Sequence, residues 1–402
     1  MMNAAAGERE GLRRSRVRGG HLPVLDGVRG LAIILVLLYH QFESPAIDGW
    51  LYRIPRFGWC GVDLFFVLSG FLITGILLDS RERLHYFRNF YARRCLRIFP
   101  LYYAVLLLTV VLLPLVAPTD GSRLARILAP YAEAARHQGW LWSYLTNVGV
   151  AIEGWVFGPL APFWSLAIEE HFYLLWPAVV FFCPPRRLMR VALLVMAGGV
   201  LARILLRASG ADSLALYVLT PCRMEGLACG AFLAAFVRCG QGVERLVPPA
   251  RILLIVLGGV IVWHVGSGGS VAPYSEAATL AGYSIFSLFF GSLLVLILAS
   301  PPGRVLERIF SGSTLRVFGK YSYAIYLFHL PVQWAVLFAG YTRERFPELF
   351  GSPLPGQILF CLLCTGISFG CAWASWHLFE RRFLALKRHF PSGVPLPPDR
   401  AD

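Results

Sequence analysis

Apolar residues in this chain come in blocks of about 20, the helical length that crosses a hydrocarbon core of roughly 30 Å. Short polar segments separate the blocks, which run from one end of the chain to the other. The pattern predicts an all-α polytopic membrane protein with about ten transmembrane helices. The expected spans are 24–42, 57–79, 98–117, 163–183, 188–207, 221–239, 251–266, 279–300, 316–338 and 357–379. The longest segment between spans, 118–162, contains Trp140, Trp142 and Trp155, rings suited to a membrane–water interface, and is expected to rest on the outer one. The chain is Pro-rich from Pro391 onward, the composition of a disordered tail. These boundaries divide it into an N-terminal tail (1–23), a transmembrane domain (24–383) and a C-terminal tail (384–402).

Charge gives the expected spans an orientation. With the N-terminus inside, 26 of the 37 Lys and Arg residues fall in cytoplasmic segments, eight on the opposite side, and Arg29, Arg203 and Arg223 within spans. This bias predicts a plasma-membrane protein with both termini in the cytoplasm. The net charge of +14 is explained by the same bias and does not call for a nucleic-acid partner. The basic start, with Arg9, Arg13, Arg14, Arg16 and Arg18, is followed by an apolar run without a small-residue cleavage site, so a retained first helix is expected. Nine cysteines lie mostly inside apolar blocks; Cys361 and Cys364 lack a second pair at zinc spacing, so no metal is expected.

Ionisable residues in a bilayer are costly and therefore informative. In the first span, Arg29 and His40 are eleven residues apart, close to three helical turns, so they share a face about 16 Å apart along the axis. Arg29 at the inner interface and His40 at the outer one also suit ordinary snorkelling, whereas their shared face suits a lined path. At the start of the fourth span, Ser165 and Glu169 are four residues apart on one face. Helix capping would explain them, but so would a carboxylate orienting the His40 imidazole as a general base. Arg93, Arg94 and Arg97 precede the third span, where they could anchor it or grip phosphate through their planar forks. Ser69, followed by Gly70, could with the distant His329 suggest an intramembrane protease, but it lacks an exposed strand–turn–helix setting.

Four motifs in order resemble the acyltransferase-3 family of membrane acyltransferases. They are Leu25 to Ala32 followed by Tyr39-His40, Gly61 to Thr74, Phe90 to Pro100, and Phe163 to Pro177. Weaker matches follow at Arg223-Met224-Glu225-Gly226 and from Tyr321 to Pro331, so the resemblance covers nearly the whole chain. His171 stands where similar sequences often have Gln, and no Pro follows Arg381-Arg382. The resemblance implies transfer of an acyl group, often acetyl, from acyl-CoA to a hydroxyl of a carbohydrate, a glycolipid or a macrolide-like acceptor. It implies His40 as the catalytic histidine with Arg29 as its partner, Ser165 and Glu169 as a second catalytic pair, and Arg94 and Arg97, with Arg93 beside them, at the acyl-CoA phosphates. The chain ends near residue 400, so the soluble esterase-like domain that some relatives append is not expected.

On this view His40 removes the acceptor proton, or forms a transient acyl-histidine. A narrow passage past Arg29 and His40, bounded by the first four spans, would carry the donor's arm across the membrane. The partners expected are acyl-CoA, the hydroxyl acceptor and membrane lipid, with a homo-oligomer left open. A secondary transporter or flippase with a buried charge relay is the alternative, although no matching pair of interrupted helices stands in the two halves.

Overall fold

The computed structural model describes residues 22–42, 50–118, 120–341 and 352–391. Among these residues the regular structure is helical. Helices of 14 or more residues are α1 (Pro23–Gln41), α2 (Gly61–Ser80), α3 (Tyr86–Leu106), α4 (Arg123–Arg136), α5 (Phe163–Phe182), α6 (Pro185–Ala208), α7 (Thr220–Arg238), α8 (Val247–Gly266), α9 (Tyr283–Ala299), α10 (Ser313–Phe338) and α11 (Leu354–Ser375). The expected tails fall largely outside the described residues, as does the Pro-rich stretch after Pro391.

Each of the ten expected spans falls on helix, but seven described segments are long and apolar enough to cross a membrane by length and composition alone. These are α1, α2 with its lead-in from Arg53, α3 with its continuation to Val116, α6, α8 with its lead-in from Val243, α9 with its lead-in from Ala278, and α11 with its continuation to His389. The others, α5, α7 and α10, carry the side chains that dilute apolarity: Glu169 and Glu170, Arg223 and Glu225, and Arg316 and Lys320. α7 is also an interior helix. α7 buries most residues from Cys222 to Ala235, whereas α8 buries only Ala250 and leaves its apolar surface outward. A helix shielded by protein can hold polar groups that a lipid-facing helix cannot.

Two close approaches set the frame. α1 lies so near α10 that a Cβ on Gly30 would stand 1.9 Å from the Leu315 carbonyl oxygen, and one on Gly319 would stand 1.8 Å from that of Asp26. α2 meets α7 in the same way at Gly70 and Gly230. Only residues without a side chain permit such backbone contact. The α1–α10 contact brings Arg316 and Lys320 to the end of α1 that carries Arg29.

From residue 120 to 162 the chain folds as α4, two shorter helices, Gln138–Trp142 and Thr146–Glu153, and a single 3-10 turn, Gly158–Leu160. Ser122 caps α4 by accepting from the Ala125 N–H at 3.2 Å. Much of the segment packs onto α3 rather than lying free: Tyr144 stacks on Tyr102 with ring centroids 4.1 Å apart, and Trp142 on Tyr103 at 5.6 Å. Leu141, Val150 and Phe157 are buried.

Candidate active site

Two cavities adjoin along α1, α3 and α10, and Arg29, Arg94 and Arg97 line both. The larger, about 640 Å³, is a basic vestibule whose other walls are Arg316, Lys320, Lys387 and Trp376, with Asp26 as its acid. Trp376 holds two of the cations: Arg97 lies 5.8 Å from its ring centroid and Lys320 5.3 Å. Arg29 donates to Asp26 at 3.3 Å. Among the described residues neither Arg94 nor Arg97 forms a salt bridge. Arg94 instead rests against the rings of Phe90 and Tyr173, at 5.8 and 5.7 Å.

The smaller cavity, about 110 Å³, is rich in hydroxyls and carboxyls: Ser69, Ser165, Glu169, Glu170, Tyr173 and Tyr326 all face it. Glu169 is fixed from two sides, accepting from Ser69 Oγ at 2.7 Å and from Tyr173 O–H at 3.0 Å. Ser165 and Tyr326 hydroxyls lie 2.6 Å apart, and Tyr326 also donates to the Pro162 carbonyl at 3.0 Å. Tyr323 donates to the Ile98 carbonyl at 2.7 Å, tying α10 to α3 beside Arg97.

His40 lies one step beyond this chamber. Its Nδ1 is 2.9 Å from the Val36 carbonyl oxygen, and its ring meets that of His329 edge-on, with centroids 4.9 Å apart. His329 lies 5.4 Å from Tyr326, ring to ring. Its Nδ1 is 2.6 Å from the Tyr326 carbonyl, while its buried Nε2 has no hydrogen-bond partner among the described residues. An Nδ1 facing a carbonyl must carry the proton, which leaves Nε2 of each ring as the basic nitrogen.

The structure thus gathers Arg29, Arg94 and Arg97 at one neck and sets Ser165 and Glu169 in the adjoining chamber. It does not join His40 and Glu169 in a hydrogen-bonded pair, because Glu169 turns to Ser69 and Tyr173 while His40 turns to His329. Arg93 stands apart from the other arginines; its Nη1 donates to the carbonyls of Lys387 and Phe390, at 3.2 and 3.0 Å. Ser69 is bonded to a carboxylate rather than to His329, so the protease arrangement does not form. His171 Nδ1 lies 2.7 Å from Thr220 Oγ1. Sequence reading missed Tyr326 and Lys387. The i, i+3 spacing of Tyr326 and His329 was the available signal for the first; Lys387 had none.

A second charged cluster lies apart from both cavities. Arg223 donates to Asp63 at 2.9 Å, and Arg203 to the two oxygens of Glu225 at 3.0 and 3.2 Å. Ser284 donates to the same carboxylate at 3.0 Å. The Arg223 guanidinium is fully buried, 3.9 Å from the Tyr283 ring centroid.

The family model described as an acyltransferase domain, of the acyltransferase-3 type, matches residues 22–375. The chain belongs to the acyltransferase-3 family. It is 32% identical to the peptidoglycan O-acetyltransferase OatA of Listeria monocytogenes over 333 residues, covering 80% of this chain and 50% of that protein. It is 27% identical to the O-acetyltransferase OatA of Staphylococcus aureus strain NCTC 8325 over 78% of this chain and 50% of the relative. It is also 27% identical to a putative peptidoglycan O-acetyltransferase of Bacillus subtilis, over 90% of this chain and 54% of the relative. The chain therefore spans about half the length of the curated relatives it matches. No solved structure matches it.

Proposed function

We propose that this membrane acyltransferase moves an acyl group, acetyl by likeness to its relatives, from acyl-CoA to a hydroxyl of a glycan acceptor. One observation carries the reading: three arginines form the shared wall between a basic vestibule and a chamber of hydroxyls and carboxyls. Six cations against one acid, Asp26, in the vestibule suit a polyanionic ligand, and the Arg94 and Arg97 guanidiniums can meet phosphate oxygens. The vestibule volume of about 640 Å³ falls within the range of small-molecule sites.

In the reaction proposed, Arg94 and Arg97 hold the donor's phosphates, and its arm runs past Arg29, which is paired with Asp26, to bring the thioester to the chamber. His40 takes the proton of the acceptor hydroxyl as that oxygen bonds to the acyl carbon. The carbon–sulfur bond breaks, and the proton passes to the leaving thiolate, giving an ester and CoA. A Ser165 or Tyr326 hydroxyl that turned from its present bonds, to the other and to the Pro162 carbonyl, would donate to the carbonyl oxygen as it becomes negative. His329 packs behind His40 and Glu169 orders Ser69 and Tyr173, so each keeps a neighbour in place.

Ten membrane spans, with both tails in the cytoplasm and the transmembrane domain at 24–383, accommodate this scheme. The vestibule then opens to the cytoplasm, where acyl-CoA is found, and His40 lies toward the outer face. Cysteines placed along the Arg29–His40 face of α1 and probed with impermeant thiol reagents test that orientation. Acyl-CoA should protect this face from the inside only.

Radiolabelled acetyl-CoA incubated with the purified protein and a glycan acceptor tests the activity. Consumption of the thioester with labelling of the acceptor supports the proposal, since a transporter or flippase would leave the thioester intact. His40→Ala should lower transfer about 10²–10⁴-fold with the fold unchanged. Transfer at the wild-type rate would remove His40 from the mechanism.

A further inference from the structure

The vestibule holds more positive charge than Arg94 and Arg97 supply, and part of it comes from an unexpected place. The helix that continues from α11 ends in a short turn, Leu386–His389, which lies against the start of α3. Three hydrogen bonds fasten it there. Arg93 Nη1 donates to the carbonyls of Lys387 and Phe390, and Asn89 Nδ2 donates to that of Pro391 at 2.9 Å. Arg88 lies 5.5 Å from the Phe390 ring centroid. The fastened segment carries Lys387 into the vestibule wall beside Arg94 and Arg97.

We infer that this C-terminal strap is a working part of the donor site, with Lys387 as a phosphate contact and Arg93 as the residue that positions it. The inference rests on the reading that acyl-CoA occupies the vestibule. Charge arithmetic supports it. CoA carries about four negative charges near neutral pH, roughly two on its 3′-phosphate and two on its diphosphate. Arg94 and Arg97 offer two positive charges, and Arg29 is engaged with Asp26. Lys387, Arg316 and Lys320 on the other walls are three cations for the two charges that remain, so Lys387 is singled out by its place beside Arg94 and Arg97 rather than by the count. A phosphodiester headgroup of an anionic lipid carries a single charge, which the two arginines would already match.

Without the anion these cations repel one another, and the repulsion is strongest where little water intervenes. An untethered lysine would swing away. The three hydrogen bonds of the strap hold it in place, so the site is built before the ligand arrives. Arg93 therefore influences binding without touching the ligand.

The test is calorimetric binding of CoA to the full chain in phosphatidylcholine nanodiscs. Lys387→Ala and Lys387→Gln should each weaken CoA binding about tenfold or more, the size of a lost charge-assisted bond. Lys387→Arg should keep most of the affinity. Arg93→Ala should weaken binding by a comparable factor, and the Arg93→Ala/Lys387→Ala double variant should be no weaker than the poorer single variant. The conserved stem of the Gln variant, with an unchanged melting temperature, separates loss of charge from misfolding. Unchanged CoA affinity in the Lys387 variants overturns the inference, as does additivity in the double variant, which would make Arg93 a ligand contact itself. If phosphatidylglycerol in the discs blocks CoA and Lys387→Ala removes the block, the lysine serves a lipid headgroup and the inference also falls. Failure of the unmodified protein to bind CoA refutes the donor reading as a whole, whereas normal binding that is indifferent to Lys387 refutes the strap alone.

Discussion

Two groups of arginines are enclosed in this bundle, and they are treated in opposite ways. Arg203 and Arg223 each face a carboxylate, Glu225 and Asp63, inside a shell that includes the ring of Tyr283. Arg94 and Arg97 face cavities and have no salt bridge among the described residues. A charge removed from water must be paired or it is costly. The first group is paired charge for charge, although Asp63 Oδ2, Arg203 Nε and Arg223 Nε and Nη1 have no hydrogen-bond partner among the described residues, and it joins helices: Asp63 on α2 to Arg223 on α7, and Arg203 on α6 to Glu225 on α7. The second group is incomplete, and incompleteness in a cavity is what a ligand of opposite charge can satisfy. The contrast separates charges that hold the bundle together from charges kept ready for a ligand.

The largest effect should come from breaking a completed pair. Asp63→Ala leaves Arg223 enclosed with its partner gone, so stability should fall by about 3–5 kcal/mol. Thermal unfolding in detergent measures it. If the melting temperature is unchanged, the buried cluster is not a structural joint and the contrast fails. Replacing Asp63 and Arg223 together with apolar residues should recover much of that loss, because no lone charge is then left behind.

On the other side, Arg94→Ala and Arg97→Ala should each weaken CoA binding by about 1.5–3 kcal/mol while leaving thermal stability close to that of the unmodified protein. Arg→Lys should restore part of the affinity, because an ammonium lacks the planar fork. Calorimetry with CoA and dephospho-CoA sharpens the result. An equal loss for both ligands assigns the arginines to the diphosphate, and a loss confined to CoA assigns them to the 3′-phosphate. A fall in stability matching that of Asp63→Ala would place them in the structural class.

The smallest effect should come from Ser69→Ala, which removes one of the two hydroxyls that fix Glu169. One such hydrogen bond to a charged group is worth about 1.5–3 kcal/mol at most, and the remaining Tyr173 bond limits the loss. Transfer should slow by roughly tenfold or less, read as initial rate with CoA affinity unchanged. A loss as large as that expected for His40→Ala would make Ser69 a direct participant and reopen its role.

Much of this was legible in the chain alone. Blocks of about 20 apolar residues require membrane-length helices, since a backbone in hydrocarbon must satisfy its own hydrogen bonds. The number of spans was less secure, because α5, α7 and α10 carry charges that lower their apolarity, those of α7 being buried among its neighbours. The Arg29–His40 face follows from helical geometry within one element, and Arg94 with Arg97 from spacing within another. What a one-dimensional pattern lacks is which elements meet. Glu169 pairs with Ser69 across 100 positions of sequence, and His40 meets His329 across 289. Arg93 sits one residue before Arg94, so the sequence alone treats the two alike. Only the docking of the segment after α11 turns one toward a backbone strap and leaves the other facing a cavity. Local periodicity sets which face a residue takes on its own helix; long-range packing, here fixed by backbone contacts at Gly30, Gly319, Gly70 and Gly230, decides what that face meets.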